Sequence, residues 1–556
     1  MAEIIVYSDI AISNIDEIST NILYDDDFTS IIKTLFKKGN QEFDTNHVTL
    51  IILSDKLIGK SPLNQLPNED KHLLLKYYFN HLNLLIINEK DLQQTENIGR
   101  LKFTIQEISK YISDRITRVE TWTGCGKSCV DDQFGDISNQ INEMIGTMSY
   151  TIDCVINKSK STTDKLKTIK DMIIAEINFK ELLSNNNTSH LSKLCNLVGH
   201  WSFPAHELTN DDLSYCVYLI IKYALDQIND ETINLSPNEL MGMIFMVRDT
   251  YKNGNPFHNF RHAVDVLQAC FHYVIRLGYL PSFTQFQTDP KADELICLYS
   301  EKFGNAVELI PMTKLSKTRD ETNLNLYQTL ALLLAALGHD VGHPGVTNAF
   351  MIKHSTPTSL LYNERSVLES FHSSIFINKI LIINWPHLLN LMTDSKTKLT
   401  FKDLIITSIL ATDMAEHFEY VDKLTHFSNN SSKLVNRIKL ISSLLIKCAD
   451  ISNVTRPLRV SAQWTSVLGR EFDEVNELEN KIIKSTFTKD IKYDKIPIEL
   501  SDILKFNPNL HKGQIFFINT FAENLFNNIV ELLPQLKFTG DIVKENKEFW
   551  LKRDNI

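Results

Sequence analysis

The chain has 556 residues, of which 43% are hydrophobic and 22% charged, and its formal net charge is −11. This length predicts more than one domain, and the composition is typical of a globular protein. The acidic balance argues against non-specific nucleic-acid binding, which needs clustered lysine and arginine, but it does not exclude a small anionic substrate held by metal ions.

The sequence carries no recognisable targeting or membrane signal. Its first residues have neither the basic start nor the apolar stretch of a signal peptide, and no apolar run reaches the ~20 residues that a membrane helix needs. The eight cysteines are scattered without zinc-finger spacing, which indicates reduced thiols. We therefore expect a protein of the cytoplasm, or of the cytoplasm and the nucleus, with neither a membrane nor a nucleic acid as its partner.

Residues 1–115 predict a small α/β domain. The β-rich runs and the helix-like segments between them are, in chain order, 4–7, 28–38, 48–53, 71–80 and 82–87. This alternation is typical of a parallel sheet with helical crossovers. The region contains no glycine-rich dinucleotide or phosphate loop, so we expect a regulatory or structural role.

Residues 116–194 predict a helical connector that ends in a polar linker at 184–189. Apolar side chains recur at helical spacing within residues 136–183, which indicates amphipathic helices. Their apolar face must be covered by the α/β domain, by the helical domain that follows or by a second copy of the chain. The last alternative would make a homodimer through residues 136–183.

Residues 195–556 predict an all-α domain, because almost every segment has helical periodicity and strand signals are nearly absent. A capping box begins one helix at Ser236, and Gly278 ends another. Residues from about 282 to 323 are mixed and loop-rich, which predicts an insertion in this domain.

Three helical segments carry histidine and aspartate at positions suited to a metal ion. His258 and His262 lie one turn apart on one helix face, a pattern that alone is as typical of ordinary core or surface histidines. His339 and Asp340 follow an apolar helix, and Asp450 ends another. Buried imidazole and carboxylate groups are costly without a partner, and a divalent metal supplies one. The set His262, His339, Asp340 and Asp450 therefore predicts a metal site between helices.

The order of these residues resembles the HD superfamily of metal phosphohydrolases. Longer motifs are more specific, and they are HNxxHAxDV from His258, HDxxHPGxxN from His339, YNxxSVLE from Tyr362, ATDMxxHF from Ala411 and QxxFI from Gln514. This series, within residues 195–535, is similar to the class I cyclic-nucleotide phosphodiesterases. The separate N-terminal region and the insertion resemble most closely the fungal high-affinity cAMP phosphodiesterases. The resemblance implies an all-α catalytic domain of the HD type preceded by a small α/β domain.

The resemblance also implies two divalent metal ions. The tighter one, zinc, would be bound by His262, His339, Asp340 and Asp450. Asp340 would bridge to the second, magnesium, for which manganese is an alternative. The residues that would hold the waters of the second metal are His343, Glu369 and Thr412.

The remaining matched positions concern the substrate. The resemblance implies that His258 is the general acid and that Glu471 orients it. The residues implied to read the purine, to clamp its two faces and to meet the adenine edge are Gln514, Phe517 with Leu468, and Asn453. General chemistry agrees, since a departing 3′-oxygen needs a proton and a flat purine fits between an aromatic and an aliphatic side chain.

The implied function is hydrolysis of the 3′-phosphoester bond of 3′,5′-cyclic AMP to 5′-AMP, which lowers the cAMP signal. Two alternatives stay open. Another HD-type nucleotide phosphohydrolase would share the metals but would not need Gln514 and Phe517. A catalytically dead nucleotide-binding regulator would lack a metal ligand, whereas all four are present.

Three positions depart from the family pattern. Gly342 stands where many relatives carry aspartate, Phe257 where tyrosine is common, and Ser370-Phe371-His372 where Asn-His-His is usual. None is a predicted metal ligand, so we expect these departures to affect turnover or inhibitor preference and not the reaction itself.

Overall fold

The structure is a computed structural model. It describes residues 2–8, 15–41, 46–54, 56, 59–92, 95–125, 146–281, 324–425, 434–484 and 495–554. The predicted insertion at 282–323 and the first part of the predicted amphipathic stretch, 136–145, lie outside these residues.

The N-terminal region contains a four-stranded parallel sheet with the strand order β2-β1-β3-β4. The strands are β1 (Glu3–Tyr7), β2 (Ile22–Asp25), β3 (Thr49–Leu53) and β4 (Leu84–Asn88). Two crossover helices are α1 (Phe28–Lys38) and α2 (Asn68–Phe79). β3 is buried at every position, as expected for a central parallel strand covered on both faces. The predicted α/β fold is confirmed, while the short and half-exposed edge strand β2 carried too weak an apolar pattern to be predicted.

The connector is helical, and the same chain covers its apolar face. Its helices are α3 (Thr95–Ile112), α4 (Arg115–Thr123), α5 (Met148–Ile156), α6 (Lys160–Glu176) and α7 (Phe179–Leu182). α5 packs against α4 and a helix of the catalytic domain, and α6 packs against both the α/β domain and the catalytic domain. Ile152 and Ile169 are buried as a result. For residues 146–183, a second copy is therefore not needed to cover this face, and the homodimer stays an untested prediction.

The C-terminal two-thirds are helical, as predicted. In the described residues up to 384, its helices are α8 (Thr188–Val198), α9 (Asn210–Ile228), α10 (Pro237–Thr250), α11 (Phe260–Arg276), α12 (Leu326–Gly338), α13 (Asn348–Lys353), α14 (Pro357–Leu361), α15 (Val367–Ile375) and α16 (Ile382–Asn384). The others are α17 (Pro386–Leu389), α18 (Phe401–Leu410), α19 (His417–Thr425), α20 (Leu434–Asp450), α21 (Leu458–Lys484), α22 (Leu500–Phe506), α23 (Leu510–Phe517), α24 (Glu523–Leu532) and α25 (Lys537–Asp554).

Helix α12 is the centre of this domain. It is apolar on every side and packs against α9, α11, α18 and α20, as expected for a helix that lies inside a core. A capping box between Asn325 and Gln328 fixes its start. Its far end therefore delivers His339 and Asp340 into the interior, next to α11 and α20.

The α/β region and the catalytic helices share one buried core. The ring of Phe36 in α1 contacts that of Phe245 in α10, with centroids 6.2 Å apart. Arg248 is fully buried at this junction, and it donates to the carbonyl oxygen of Phe36 at 2.6 Å. It also forms ion pairs with Asp211 at 2.8 Å and Asp249 at 2.7 Å. The predicted domain boundaries after residues 115 and 194 stay predictions, but packing runs across both.

Within the described part of the chain, no helix combines the length and the apolar character required to cross a bilayer.

Candidate metal centre and active site

Three helix ends bring the four predicted metal ligands together. His262 lies in the first turn of α11, where the N-cap Asn259 accepts its backbone N–H. His339 caps the C-terminal end of α12 and Asp340 follows it, while Asp450 is the last residue of α20. Each ligand thus lies where a helix begins or ends.

The ligand atoms stand at distances that suit one metal ion. Asp450 Oδ1 lies 3.1 Å from His262 Nε2 and 3.3 Å from His339 Nε2. Asp340 Oδ2 lies 3.2 Å from His339 Nε2 and 3.7 Å from His262 Nε2. Ligands about 2.1 Å from a shared metal stand roughly 3.0 to 3.4 Å apart in octahedral or tetrahedral geometry. The ligand atoms of His262, His339 and Asp450 all lie within 4.8 Å of one another, so these three could hold one divalent metal. Asp340 lies beside them against the two histidines, and it also forms a second such group with His343 and His372.

The hydrogen bonds of His339 prepare it for this role. Its Nδ1 lies 2.9 Å from the carbonyl oxygen of Ala336, so Nδ1 carries the proton and Nε2 offers its lone pair. Nε2 is buried and has no hydrogen-bond partner among the described residues, although it faces both carboxylates. A buried lone pair of this kind is satisfied by a metal ion.

The carboxylates make the centre attractive to a cation. Burial lowers the pKa of His339, but the charges of Asp340 and Asp450 outweigh burial and hold that pKa well above its ordinary value. Burial raises the pKa of Asp340, but the neighbouring histidines outweigh it and hold this pKa well below the usual range. Without a metal, a proton on His339 balances part of this negative charge. A divalent cation would replace this proton.

His258 and Glu471 form the predicted acid pair beside the ligands. Nδ1 of His258 is hydrogen-bonded to Glu471, whose second oxygen accepts the backbone N–H groups of Phe257 and His258 at 2.9 and 3.0 Å. Burial lowers the pKa of His258, but Glu471 outweighs it and raises the pKa to about 9. His258 is therefore a protonated imidazole at neutral pH, as a general acid requires.

His343 lies directly on His258, with ring centroids 4.0 Å apart and nearly parallel planes. Its Nδ1 accepts the backbone N–H of Gly345 at 3.0 Å, so Nε2 carries the proton of the neutral ring. Burial holds its pKa well below the ordinary value, which keeps the ring neutral. An N–H donor suits a bound water better than a metal ion.

Of the other two predicted water-holding residues, Thr412 is buried and Glu369 is half-buried. Both carboxylate oxygens of Glu369 accept from the amide of Asn348, at 2.9 and 3.2 Å. Burial and the nearby charge of Asp413 raise the pKa of Glu369 to about 7. Thr412 donates to the carbonyl oxygen of Ile409 at 2.8 Å, which leaves its hydroxyl oxygen able to accept a hydrogen bond.

The predicted base-binding residues lie on elements that pack against one another. Gln514 and Phe517 belong to α23, which packs against the helix of Leu468, α21. Gln514 is 2% exposed and Asn453 6% exposed, yet the side-chain oxygens of both are buried without a partner among the described residues. Buried amide oxygens without partners favour a ligand that donates to them.

A family model for the 3′5′-cyclic nucleotide phosphodiesterases matches residues 257–543. In addition, 3′,5′-cyclic-nucleotide phosphodiesterase 2 of Saccharomyces cerevisiae is 31% identical over 555 residues, covering 95% of this chain and 93% of that protein. The chain belongs to this family. The resemblance inferred from the motifs is thereby confirmed. Divalent metal dependence is a property of this family, and the histidine and aspartate clusters are compatible with it.

Solved structures agree with this assignment over the whole phosphodiesterase. A crystal structure of the yeast protein caPDE2 is 50% identical, has a TM-score of 0.89 and covers 100% of both chains. A second structure of that protein, in complex with IBMX, has a TM-score of 0.87 at the same identity and coverage. The predicted fold, a helical catalytic domain with a small α/β region before it, is confirmed.

One site residue was not predicted from the sequence. His372 in α15 has Nε2 3.7 Å from Asp340 Oδ1, and its Nδ1 donates to the carbonyl oxygen of Val341 at 2.8 Å. Burial lowers its pKa to about 4, so Nε2 carries a lone pair, which no described residue meets with a hydrogen bond. The signal for it was its position three residues after Glu369, on the same helix face.

Two of the departures from the family pattern contact each other in this phosphodiesterase. Gly342 has a φ of +75°, and a Cβ atom built there would lie 2.9 Å from Cε1 of Phe371. A side chain at 342 would therefore require a different residue at 371 or a shift of its ring. The ring of Phe371 thus occupies the space that a side chain at position 342 would need.

Proposed function

We propose that this protein hydrolyses the 3′-phosphoester bond of 3′,5′-cyclic AMP to give 5′-AMP. The observation that carries the proposal is the cluster of His262, His339 and Asp450, with the carboxylate of Asp340 against both histidines and the His258–Glu471 pair beside it. A metal cluster next to a protonated acid is the combination that phosphodiester hydrolysis needs.

In this proposal, zinc would be held by His262, His339, Asp340 and Asp450, and Asp340 would also be available to magnesium, for which manganese is the alternative. Two such ions supply an activated water and stabilise the charge that develops on the phosphoryl group. Asp340 can serve both because Oδ2 faces His339 and Oδ1 faces His372. His343, His372, Glu369 and Thr412 orient water at this side through their free donor or acceptor atoms.

His258 then protonates the departing 3′-oxygen. Its Nδ1 is held by Glu471, so the opposite ring nitrogen, Nε2, can carry the transferred proton. The backbone N–H groups of residues 257 and 258 fix the carboxylate of Glu471 in turn. A proton delivered in place avoids the departure of an alkoxide.

The purine is bound between Phe517 and Leu468, where Gln514 meets its polar edge with an amide that can adopt either orientation. Asn453 favours adenine, because its amide can accept from the exocyclic amine and donate to the ring nitrogen. We expect a higher kcat/KM for cAMP than for cGMP, and we expect Asn453→Ala to narrow this gap by about tenfold. Steady-state kinetics with both nucleotides check this, and equal or faster hydrolysis of cGMP by the unmodified protein would contradict it.

The experiment that tests the proposal is hydrolysis of cAMP and cGMP by the purified protein, with and without a chelator. The variant His262→Gln should be inactive, whereas His387→Gln, at an exposed position away from the site, should behave like the unmodified protein. An active enzyme that the chelator does not affect would overturn the metal mechanism. Binding of cAMP without hydrolysis would favour a nucleotide-binding regulator, and hydrolysis of other nucleotides alone would favour a different phosphohydrolase.

Two finer expectations accompany this proposal. We expect the protein in the cytoplasm, or in the cytoplasm and the nucleus, where cAMP is formed and bound. A homodimer through residues 136–183 is the assembly to look for in light scattering.

A further inference from the structure

An arginine of the N-terminal connector reaches the loop that carries the acid His258. Arg115 is the first residue of α4, after the N-cap Asp114, and its side chain is buried between α21 and residues 252–258. Its Nη2 donates to Oδ1 of Asn255 at 2.6 Å. The same group lies 3.4 Å from Oε2 of Glu474 in α21. The guanidinium thus joins α21 to residues 252–258, the loop that carries the acid His258 and is called the acid loop below.

Asn255 passes this contact on to two catalytic segments. Its Nδ2 donates to the backbone carbonyl of His258 at 2.8 Å and to that of His343 at 2.7 Å. The side chain is 1% exposed, so water does not offer alternative partners. Because the oxygen and the nitrogen of an amide are similar in size, the arginine at Oδ1 decides which way the amide points.

The contact between Arg115 and Asn255 depends on the absence of a side chain at Gly345. Gly345 follows the His343 segment with a φ of +83°, and a Cβ atom there would lie 2.9 Å from Oδ1 of Asn255 and 3.4 Å from Nη2 of Arg115. Close approach of the backbone at Gly345 therefore makes room for the arginine–asparagine contact.

Two carboxylates one turn apart on α21 act on the same loop. Glu471 holds the ring and backbone of His258 directly. Glu474 lies three residues later on the same face, and it holds Arg115. The acid loop is therefore fixed at His258 from the catalytic domain and at Asn255 through a residue of the connector.

We propose that Arg115 is a positioning residue for catalysis, which acts through Asn255 on the placement of His258. The N-terminal region then completes the active site and is more than an attached domain. This inference rests on the proposed function, since it assumes that His258 delivers a proton to the 3′-oxygen.

Removal of the guanidinium would release the amide of Asn255. If the amide turned over, its oxygen would face the two carbonyl oxygens that it now donates to, and the loop would move away. A displacement of about 1 Å at a reacting group can cost on the order of 10²-fold in rate. Such a loss affects the step that His258 assists and has little effect on substrate binding.

The experiment compares cAMP with its analogue in which sulfur replaces the bridging 3′-oxygen. A thiolate leaves without protonation, because thiols are far stronger acids than alcohols. For Arg115→Met we expect kcat for cAMP to fall about 10- to 100-fold with KM nearly unchanged, and kcat for the sulfur analogue to fall less than about threefold. Arg115→Lys, which keeps the charge, should recover part of the lost kcat for cAMP. His258→Ala shows how far the ratio of the two kcat values changes when the acid is removed completely.

Arg118→Met is the matched control. Arg118 is also a buried arginine of α4, but it donates to the carbonyl oxygens of Ile112 and Ser113, at the end of α3 and in the turn before α4. This variant should lower thermal stability and leave the ratio of the two kcat values unchanged. If Arg115→Met does not fold, Asn255→Asp carries the test, since it can still accept from Arg115 but cannot donate to the two carbonyls.

Equal losses of kcat on both substrates, or unchanged kcat for cAMP in folded Arg115→Met and Asn255→Asp, would overturn the inference. Failure of the proposed function looks different, because the unmodified protein would then not hydrolyse cAMP. In that case the inference fails with it.

Discussion

The chain buries two clusters of charged side chains, one at the junction with the α/β domain and one at the metal centre. At the junction, Arg248 forms ion pairs with both Asp211 and Asp249, and its Nη2 also donates to the backbone carbonyl of Phe36. At the metal centre, no arginine or lysine of the described residues forms an ion pair with Asp340 or Asp450. Buried carboxylates require a cation. The first cluster contains its own and joins two parts of the fold, whereas the second has only neighbouring histidines, and we expect it to bind a metal cation.

The largest effect is expected from the metal ligands. Replacing any of them with alanine should abolish hydrolysis of cAMP, because each change removes a ligand and unbalances the remaining charges. The four are His262, His339, Asp340 and Asp450. Turnover and metal content are measured on protein whose fold is verified by circular dichroism. If folded Asp450→Ala kept near-normal turnover and metal content, the proposed ligand set would be wrong.

The next effect separates the acid from the ligands. His258→Ala should lower kcat by roughly 10²- to 10⁴-fold, the usual contribution of a positioned acid, while the metal stays bound. The metal content of this variant shows whether His258 is an acid or a metal ligand. If metal and activity disappear together, His258 belongs to the ligand set.

The junction should respond in stability and not in chemistry. Arg248→Met leaves two buried carboxylates without their cation, and we expect a loss of about 3–5 kcal/mol in the free energy of unfolding. Arg365→Met at an exposed position is the control, with an expected change within about 0.5 kcal/mol. Denaturant unfolding gives both values. If folded Arg248→Met also showed a large loss of kcat, the junction cluster would affect catalysis as well as stability, and the distinction between the two clusters would fail.

The smallest effect is a shift in pH dependence. Glu471 raises the pKa of His258 to about 9, so kcat should fall as the pH rises through that range and the acid loses its proton. Glu471→Gln removes the charge that raises this pKa, so the alkaline fall in kcat should move to lower pH by about one to two units. The pH–kcat profiles of both proteins provide the test. An unchanged alkaline limb would mean that another group sets it.

The candidate metal ligands could be proposed from the sequence because each lies in a local motif where a helix begins or ends. His262 lies in the first turn of α11, and the ends of two apolar helices carry His339, Asp340 and Asp450. The fold class could also be predicted, because the spacing of apolar residues within each segment is a local pattern. Edge strand β2 had too few buried positions to give such a pattern.

Contacts between distant segments could not be predicted. Arg115 meets Asn255 from 140 positions away and Glu474 from 359 positions away, and nothing in its local sequence distinguishes it from a surface arginine. The polar linker at 184–189 indicated only a boundary between the connector and the helical domain. Arg115 and Arg248 lie across that division, and such pairings depend on how complete elements pack.

The need for a divalent cation at the catalytic cluster is tested most directly by metal removal and return. Metal content and cAMP turnover are measured before chelation, after chelation and after addition of zinc, magnesium or manganese, in the unmodified protein and in Asp450→Asn. The unmodified protein should lose turnover with its metal and regain both, while Asp450→Asn should regain neither. Turnover that persists in the metal-free protein, or full turnover in Asp450→Asn, would contradict the two-cluster distinction.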